Sequence, residues 1–184
     1  MGITRATGMA DSTGVSRMMG NSRGNTGGET PAPAPALAAL KQYFGYDSFR
    51  PGQSGLVTAI LQGRDVLGVM PTGAGKSICY QIPATLLPGL TIVISPLISL
   101  MRDQVDALQD AGIPAAYVNT TQSPDEQDAV LTQAAQGKIR MLYVAPERLE
   151  TGRFRDFAVH TRISLVTVDE AHCVSQWGQD FRSS

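Results

Sequence analysis

A chain of 184 residues has room for one α/β domain and a tail, and its 42% hydrophobic and 17% charged content is that of an ordinary globular protein. A net charge of −1, from 15 basic and 16 acidic residues, provides no global basic field, so any nucleic acid must be held by local patches. No apolar run nears the roughly 20 residues of a membrane span, and the two distant cysteines, Cys79 and Cys173, lack the CxxC spacing of a zinc site and suit a reducing compartment.

Residues 1–30 are Gly, Ser, Thr, Asn and Met without periodicity or the apolar centre of a secretory signal. Too little apolar surface is available there to offset ordering entropy, which predicts disorder. Arg5, Arg17 and Arg23 among the small polar residues permit a second reading, an organellar transit segment, beside the expected cytoplasmic location. "PAPAPA" (31–36) reads as a polyproline-like spacer. The folded domain is then expected over 37–184, opening with the helix "LAALKQYFG" and its C-terminal cap Gly45.

Apolar, partly β-branched runs follow at "DVLGVM" (65–70), "LTIVIS" (90–95), "AAYVN" (115–119), "IRMLYVA" (139–145) and "ISLVTVD" (163–169). Helical patterns separate them. Leu97, Met101, Val105 and Leu108 repeat at helical spacing before Gly112, and "SPDE" carries a capping box of Ser123 and Glu126 with Pro124 at the first helical position. Such alternation predicts an α/β fold with a parallel sheet covered by helices on both faces. Ligands of that class sit at the carboxyl ends of the strands, where the turns 71–77, 95–96 and 169–172 lie.

"PTGAGKS" leaves a strand and opens a helix, the setting of a phosphate-binding loop. Its backbone must curl with N–H groups inward around an oxyanion, and the small residues of Thr72, Gly73, Ala74 and Gly75 keep that approach open. Lys76 is the cation for the β- and γ-phosphates, and the Ser77 hydroxyl is a ligand for Mg²⁺ at a helix N-terminus. The full pattern would have glycine at position 70, where this chain has Met70. "LVTVDEAH" then sets Asp169 and Glu170 at a strand end, on a strand expected to neighbour that of the phosphate loop. Nucleotide hydrolysis needs one carboxylate for hydrated Mg²⁺, here Asp169, and another to orient and deprotonate water, here Glu170.

With "PTGAGKS" and "DEAH" in one parallel α/β domain, the chain resembles superfamily 2 helicases, whose phosphate loop commonly lacks the first glycine. "FGYDSFRPGQ" (44–53), "SPLISLMRDQ" (95–104), "YVAPERL" (143–149) and "DEAHCVSQWGQDFR" (169–182) look, in order, like the RecQ family of DNA helicases, over about residues 37–182. The resemblance implies a RecA-like domain using ATP and Mg²⁺, with Gln53, Tyr46 and Arg50 at the adenine. A glutamine amide can pair with the N6 and N7 edge of adenine, and a ring or guanidinium can stack on the base. "SPLISLMRDQ" fits, on its residues, either an amphipathic helix with solvated polar positions or a grip on a phosphodiester backbone by Ser95, Arg102 and Gln104. The resemblance favours DNA.

Aromatics interleaved with basic groups make a stacking surface for single-stranded bases. Similarity to the RecQ family assigns Trp177, Phe181 and Arg182 to a DNA-sensing aromatic-rich loop, with His172 linking it to the nucleotide site. Gln179 stands where that family usually has histidine. The resemblance further implies a 3′–5′ DNA helicase of recombination and repair, acting on single-stranded and forked duplex DNA. In that family a second RecA-like domain, required for activity, follows the part seen here. The 184 residues alone are thus expected to bind ATP·Mg²⁺ weakly and unwind nothing. The reading from another class is a non-catalytic, nucleotide-dependent nucleic-acid-binding module.

Overall fold

The computed structural model describes residues 2–6, 31–70 and 75–170. Among them six strands form one sheet, β1 (Gly2–Ala6), β2 (Val66–Gly68), β3 (Leu90–Ile94), β4 (Ala115–Val118), β5 (Met141–Val144) and β6 (Ile163–Val168), in the order β2-β1-β6-β3-β5-β4. The helices are α1 (Ala34–Phe44), α2 (Gln53–Leu61), α3 (Ile78–Leu86), α4 (Ile98–Asp110), α5 (Pro124–Ala135) and α6 (Gly152–His160), with a 3₁₀ turn at Pro146–Arg148. All five strands expected from the apolar runs are present. β6, β3, β5 and β4 pair in parallel.

Two-residue alternation along these strands builds two cores. On β5, Met141 and Tyr143 point to one face with Val93, Leu165, Tyr80 and the α4 residues Met101, Val105 and Leu108. Leu142 and Val144 point to the other, with Ile92, Leu131 and Ala134 of α5, and Phe154 and Phe157 of α6. Each of these fully buried aliphatic side chains contributes on the order of 1.5–3 kcal/mol. A third cluster, Ala36, Leu40, Val57 and Ile82, packs α1 onto α2 and α3.

Local signals end the helices where the sequence predicts. Gly45 is left-handed (φ 73°) and its N–H donates to the Lys41 carbonyl. Ser123 and Glu126 close a reciprocal capping box, with Pro124 at the first position of α5. The α4 stripe buries Met101, Val105 and Leu108, whereas Leu97 stands just before the helix and is exposed.

Two expectations are corrected. Ordered structure does not wait for residue 37: α1 begins at Ala34, and Gly2–Ala6 forms β1. The other residues expected to be disordered, 7–30, lie outside the described residues. Nor are the phosphate-loop and acid strands neighbours. β1 lies between them, antiparallel to β2 (Thr4 opposite Val66) and to β6 (Thr4 opposite Thr167). A five-residue stretch can enter a sheet because its backbone groups are satisfied by the ladders on both sides, whatever its composition. β2 and β6 are therefore two strand spacings, about 9.5 Å, apart.

Candidate functional site

The site forms where the chain leaves β2 and β6 at their carboxyl ends. Lys76 and Ser77, just before α3, face Asp169 and Glu170, just after β6, across a cleft of about 340 Å³. The Lys76 Nζ lies 3.4 Å from the Glu170 Oε1, with both side chains about three-quarters buried. Despite the intervening strand, lysine and acids converge in one cleft.

Each group is held by contacts outside its own motif. Gly75 is left-handed (φ 71°), and a Cβ there would stand 2.8 Å from the Gln53 Nε2. That amide nitrogen donates to the Gly75 carbonyl at 3.0 Å, while Gln53 Oε1 accepts from the Arg50 N–H at 2.8 Å. Gln53 is thus buried as a brace between the α1–α2 loop and the phosphate loop. Asp169 is anchored at both oxygens: Oδ1 accepts from the Glu170 N–H (2.9 Å) and Oδ2 from the Tyr80 hydroxyl (3.1 Å). Glu170 itself is left-handed (φ 52°), a conformation costing a non-glycine residue roughly 1–2 kcal/mol. Strain of this kind persists where surrounding contacts over-determine it.

Beneath Asp169 runs a buried polar chain. Gln81 Nε2 reaches both the Tyr143 hydroxyl (3.4 Å) and Gln104 Oε1 (3.3 Å), and the Tyr80 hydroxyl lies close to that of Tyr143. Burial, then the neighbouring Tyr143 and Asp169, pushes the Tyr80 phenol well above its ordinary range, so at neutral pH it is a donor. Burial raises Tyr143 likewise.

The donors suit magnesium. Among the described residues no group of three or more His, Cys, Asp or Glu side chains could cage a metal. The cleft instead presents a few oxygen donors, among them the Ser77 hydroxyl and the Asp169 carboxylate. A hard cation that keeps several waters and takes its other ligands from a phosphate chain requires that small oxygen set.

Residues 50–184 match the DEAD/DEAH box helicase family. The chain belongs to this family. It is 51% identical over 147 residues, 80% of this chain and 24% of the relative, to the ATP-dependent DNA helicase RecQ of Haemophilus influenzae. It is also 51% identical over 150 residues, 81% of this chain and 25% of the relative, to that of Bacillus subtilis. Identity is 48% over 146 residues, 79% of this chain and 16% of the relative, to the ATP-dependent DNA helicase Q-like 5 of Arabidopsis thaliana. The chain spans about a quarter or less of the length of these relatives. The parallel strands flanked by helices are the RecA-like α/β arrangement of DEAD/DEAH box helicases.

Within this helicase domain the structure divides the expected site residues. Gly75, Lys76, Ser77, Asp169 and Glu170 come together in the cleft. Thr72, Gly73, Ala74, His172, Trp177, Gln179, Phe181 and Arg182 lie outside the described residues. Tyr46 is exposed on the loop after α1, and Arg50 is exposed where α2 begins, beside a hollow shared with Leu56, Val69 and Met70. The trio assigned to DNA separates. Ser95 and Gln104 open onto the same cleft as Lys76 and Glu170, whereas Arg102 projects to solvent, 3.9 Å from Asp106. Residues two apart on a helix do not share a face, so Arg102 and Gln104 diverge. Sequence reasoning passed over Tyr80, Gln81 and Tyr143. Their one signal was polar atoms in otherwise apolar segments, "ICYQIPAT" and "MLYVA", since a polar group buried there must find a partner.

Proposed function

We propose that this chain is the amino-terminal ATP-binding motor portion of an ATP-dependent 3′–5′ DNA helicase acting in recombination and repair, in the cytoplasm and on the nucleoid. The observation that carries the proposal is the meeting of Lys76, Ser77, Asp169 and Glu170 in one cleft. The triphosphate enters from the loop side, where the backbone of 72–75 and the N-terminus of α3 receive its oxygens. Lys76 takes the β- and γ-phosphates, and Ser77 and Asp169 are the ligands for Mg²⁺. Bound there, the ion offsets the charge developing on the transferred phosphoryl group.

The Lys76–Glu170 pair then acquires a role. Phosphate oxygens compete for the ammonium, and the carboxylate released from it orients water and accepts its proton. Gln53, which braces the phosphate loop, is assigned to the adenine edge with Tyr46 and Arg50 flanking the base. Single-stranded and forked duplex DNA are the substrates, with Arg102 on the exposed face of α4 and the residues Trp177, Phe181 and Arg182 assigned to bind them. His172 joins those residues to the acids, and a second RecA-like domain completes the motor.

ATP hydrolysis by the complete protein, measured alone, with single-stranded DNA and with RNA, tests the proposal. Stimulation by DNA above RNA, abolished by Lys76→Ala, is expected. Undiminished turnover in Lys76→Ala would contradict the phosphate-loop assignment.

A further inference from the structure

We infer that Tyr80 is a positioning residue of the nucleotide site, its hydroxyl fixing the Asp169 carboxylate for the magnesium of a bound nucleotide, and that the buried chain through Tyr143 and Gln81 to Gln104 fixes Tyr80 in turn. The inference rests on the proposed nucleotide reading of the cleft and adds to it a residue that none of the sequence motifs includes.

Three features of the geometry carry it. Tyr80 lies on α3, one turn from Ser77, and donates across to the end of β6, so a single hydroxyl ties the two halves of the site together at 3.1 Å. The halves have no strand-to-strand ladder to do this, because β1 separates β2 from β6. The bond also completes the anchoring of Asp169. With Oδ1 held by the Glu170 N–H and Oδ2 by Tyr80, the carboxylate plane is set, and the remaining lone pairs are free to turn toward the cleft. A carboxylate ligand restrained in this way loses less freedom on meeting a cation. Partners of this kind are worth about 10–100-fold in metal affinity.

The tyrosine cannot drift, since it is 5% exposed and shares the larger core with Val93, Ala84 and Leu165. Its hydroxyl lies close to that of Tyr143 on β5, which accepts from Gln81 Nε2 at 3.4 Å, and the same amide reaches Gln104 on α4 at 3.3 Å. Side-chain hydrogen bonds thus join Tyr80 to Asp169, and Gln81 to β5 and α4, within one buried polar cluster. Its far end, Gln104, lies on a helix that also lines the cleft.

The test is binding of a fluorescent ATP analogue to the 184-residue chain, titrated with Mg²⁺ and repeated in EDTA, for the parent, Tyr80→Phe, Tyr143→Phe and Lys76→Ala. Tyr80→Phe keeps the ring and its packing and removes one oxygen. It is expected to raise the Mg²⁺ concentration for half-maximal binding about 10-fold, leaving Mg²⁺-free affinity within about two-fold of the parent. Tyr143→Phe, one step further away, should move the same midpoint in the same direction by less than Tyr80→Phe does. A purely structural role for Tyr80 predicts something else: affinity with and without Mg²⁺ falling together, alongside a lower Tm. That pattern, or an unchanged Mg²⁺ midpoint in Tyr80→Phe, overturns the inference while leaving the site reading intact. Failure of the nucleotide reading looks different again, with parent binding insensitive to both Mg²⁺ and Lys76→Ala, and it removes the inference as well. Should Tyr80→Phe not fold, as judged by circular dichroism, the Tyr143→Phe midpoint decides, and its lack of movement overturns the inference.

Discussion

Replacing Gly75 with alanine puts two separate costs on one atom. The backbone at φ 71° is left-handed, which charges a β-carbon roughly 1–2 kcal/mol. The new methyl would also stand 2.8 Å from the Gln53 Nε2, closer than a carbon and a nitrogen tolerate, so the buried amide must withdraw. Withdrawal breaks its 3.0 Å bond to the Gly75 carbonyl, worth about 1 kcal/mol net. The total of about 2–3 kcal/mol corresponds, for a chain of this size, to a fall in Tm of about 4–12 °C. Thermal melts of the parent, Gly75→Ala, Gln53→Ala and the double variant separate the two parts. Once Gln53 is truncated the methyl meets no amide and only backbone strain remains, so the alanine should then cost about 1 kcal/mol less. An equal penalty in both backgrounds would show that Gln53 does not brace the loop, and no penalty in either would refute the left-handed assignment.

Further outcomes follow from the same structure. Thr4→Pro removes an N–H from a strand paired on both sides, so Tm should fall by about 2–4 °C or more and Thr4→Val should not reproduce the loss; equal melting of the proline variant and the parent would exclude β1 from the sheet. The Glu126 carboxyl is held below its ordinary value of 4.5, first by the Ser123 N–H and then by the Ser123 side chain. A depressed carboxyl stabilises the fold above its unfolded value and loses that contribution as pH falls through the folded one. Melts taken from about pH 6 to about pH 3 should therefore show an acid loss in the parent that is smaller in Glu126→Gln. Burial pushes the Cys79 thiol up to about 11, so iodoacetamide near pH 8 should leave it unmodified in the native chain and alkylate it after denaturation, as read by peptide mass mapping. Arg102→Ala should change Tm by less than about 4 °C, since its exposed pairing with Asp106 is worth at most about 1 kcal/mol, yet weaken DNA binding by the complete protein.

What could be read from residue order alone was what local chemistry decides. The capping box at Ser123 and Glu126, the left-handed Gly45 and the five apolar strands depend on neighbours within a few positions, and each stands where the residues place it. The meeting of Lys76 and Ser77 with Asp169 and Glu170 was legible for a related reason: both segments leave apolar strands at the carboxyl edge of the sheet. Tertiary structure alone decided the distant pairings. Gln53 braces Gly75 across 22 positions, Tyr80 holds Asp169 across 89, and Gln81 reaches Tyr143 across 62. Ser95 and Gln104 turned to the nucleotide cleft because α4 presents its faces to a sheet whose position no local pattern encodes. β1 is the plainest case. Its place between β2 and β6 depends on backbone groups that every residue carries, and composition therefore could not announce it.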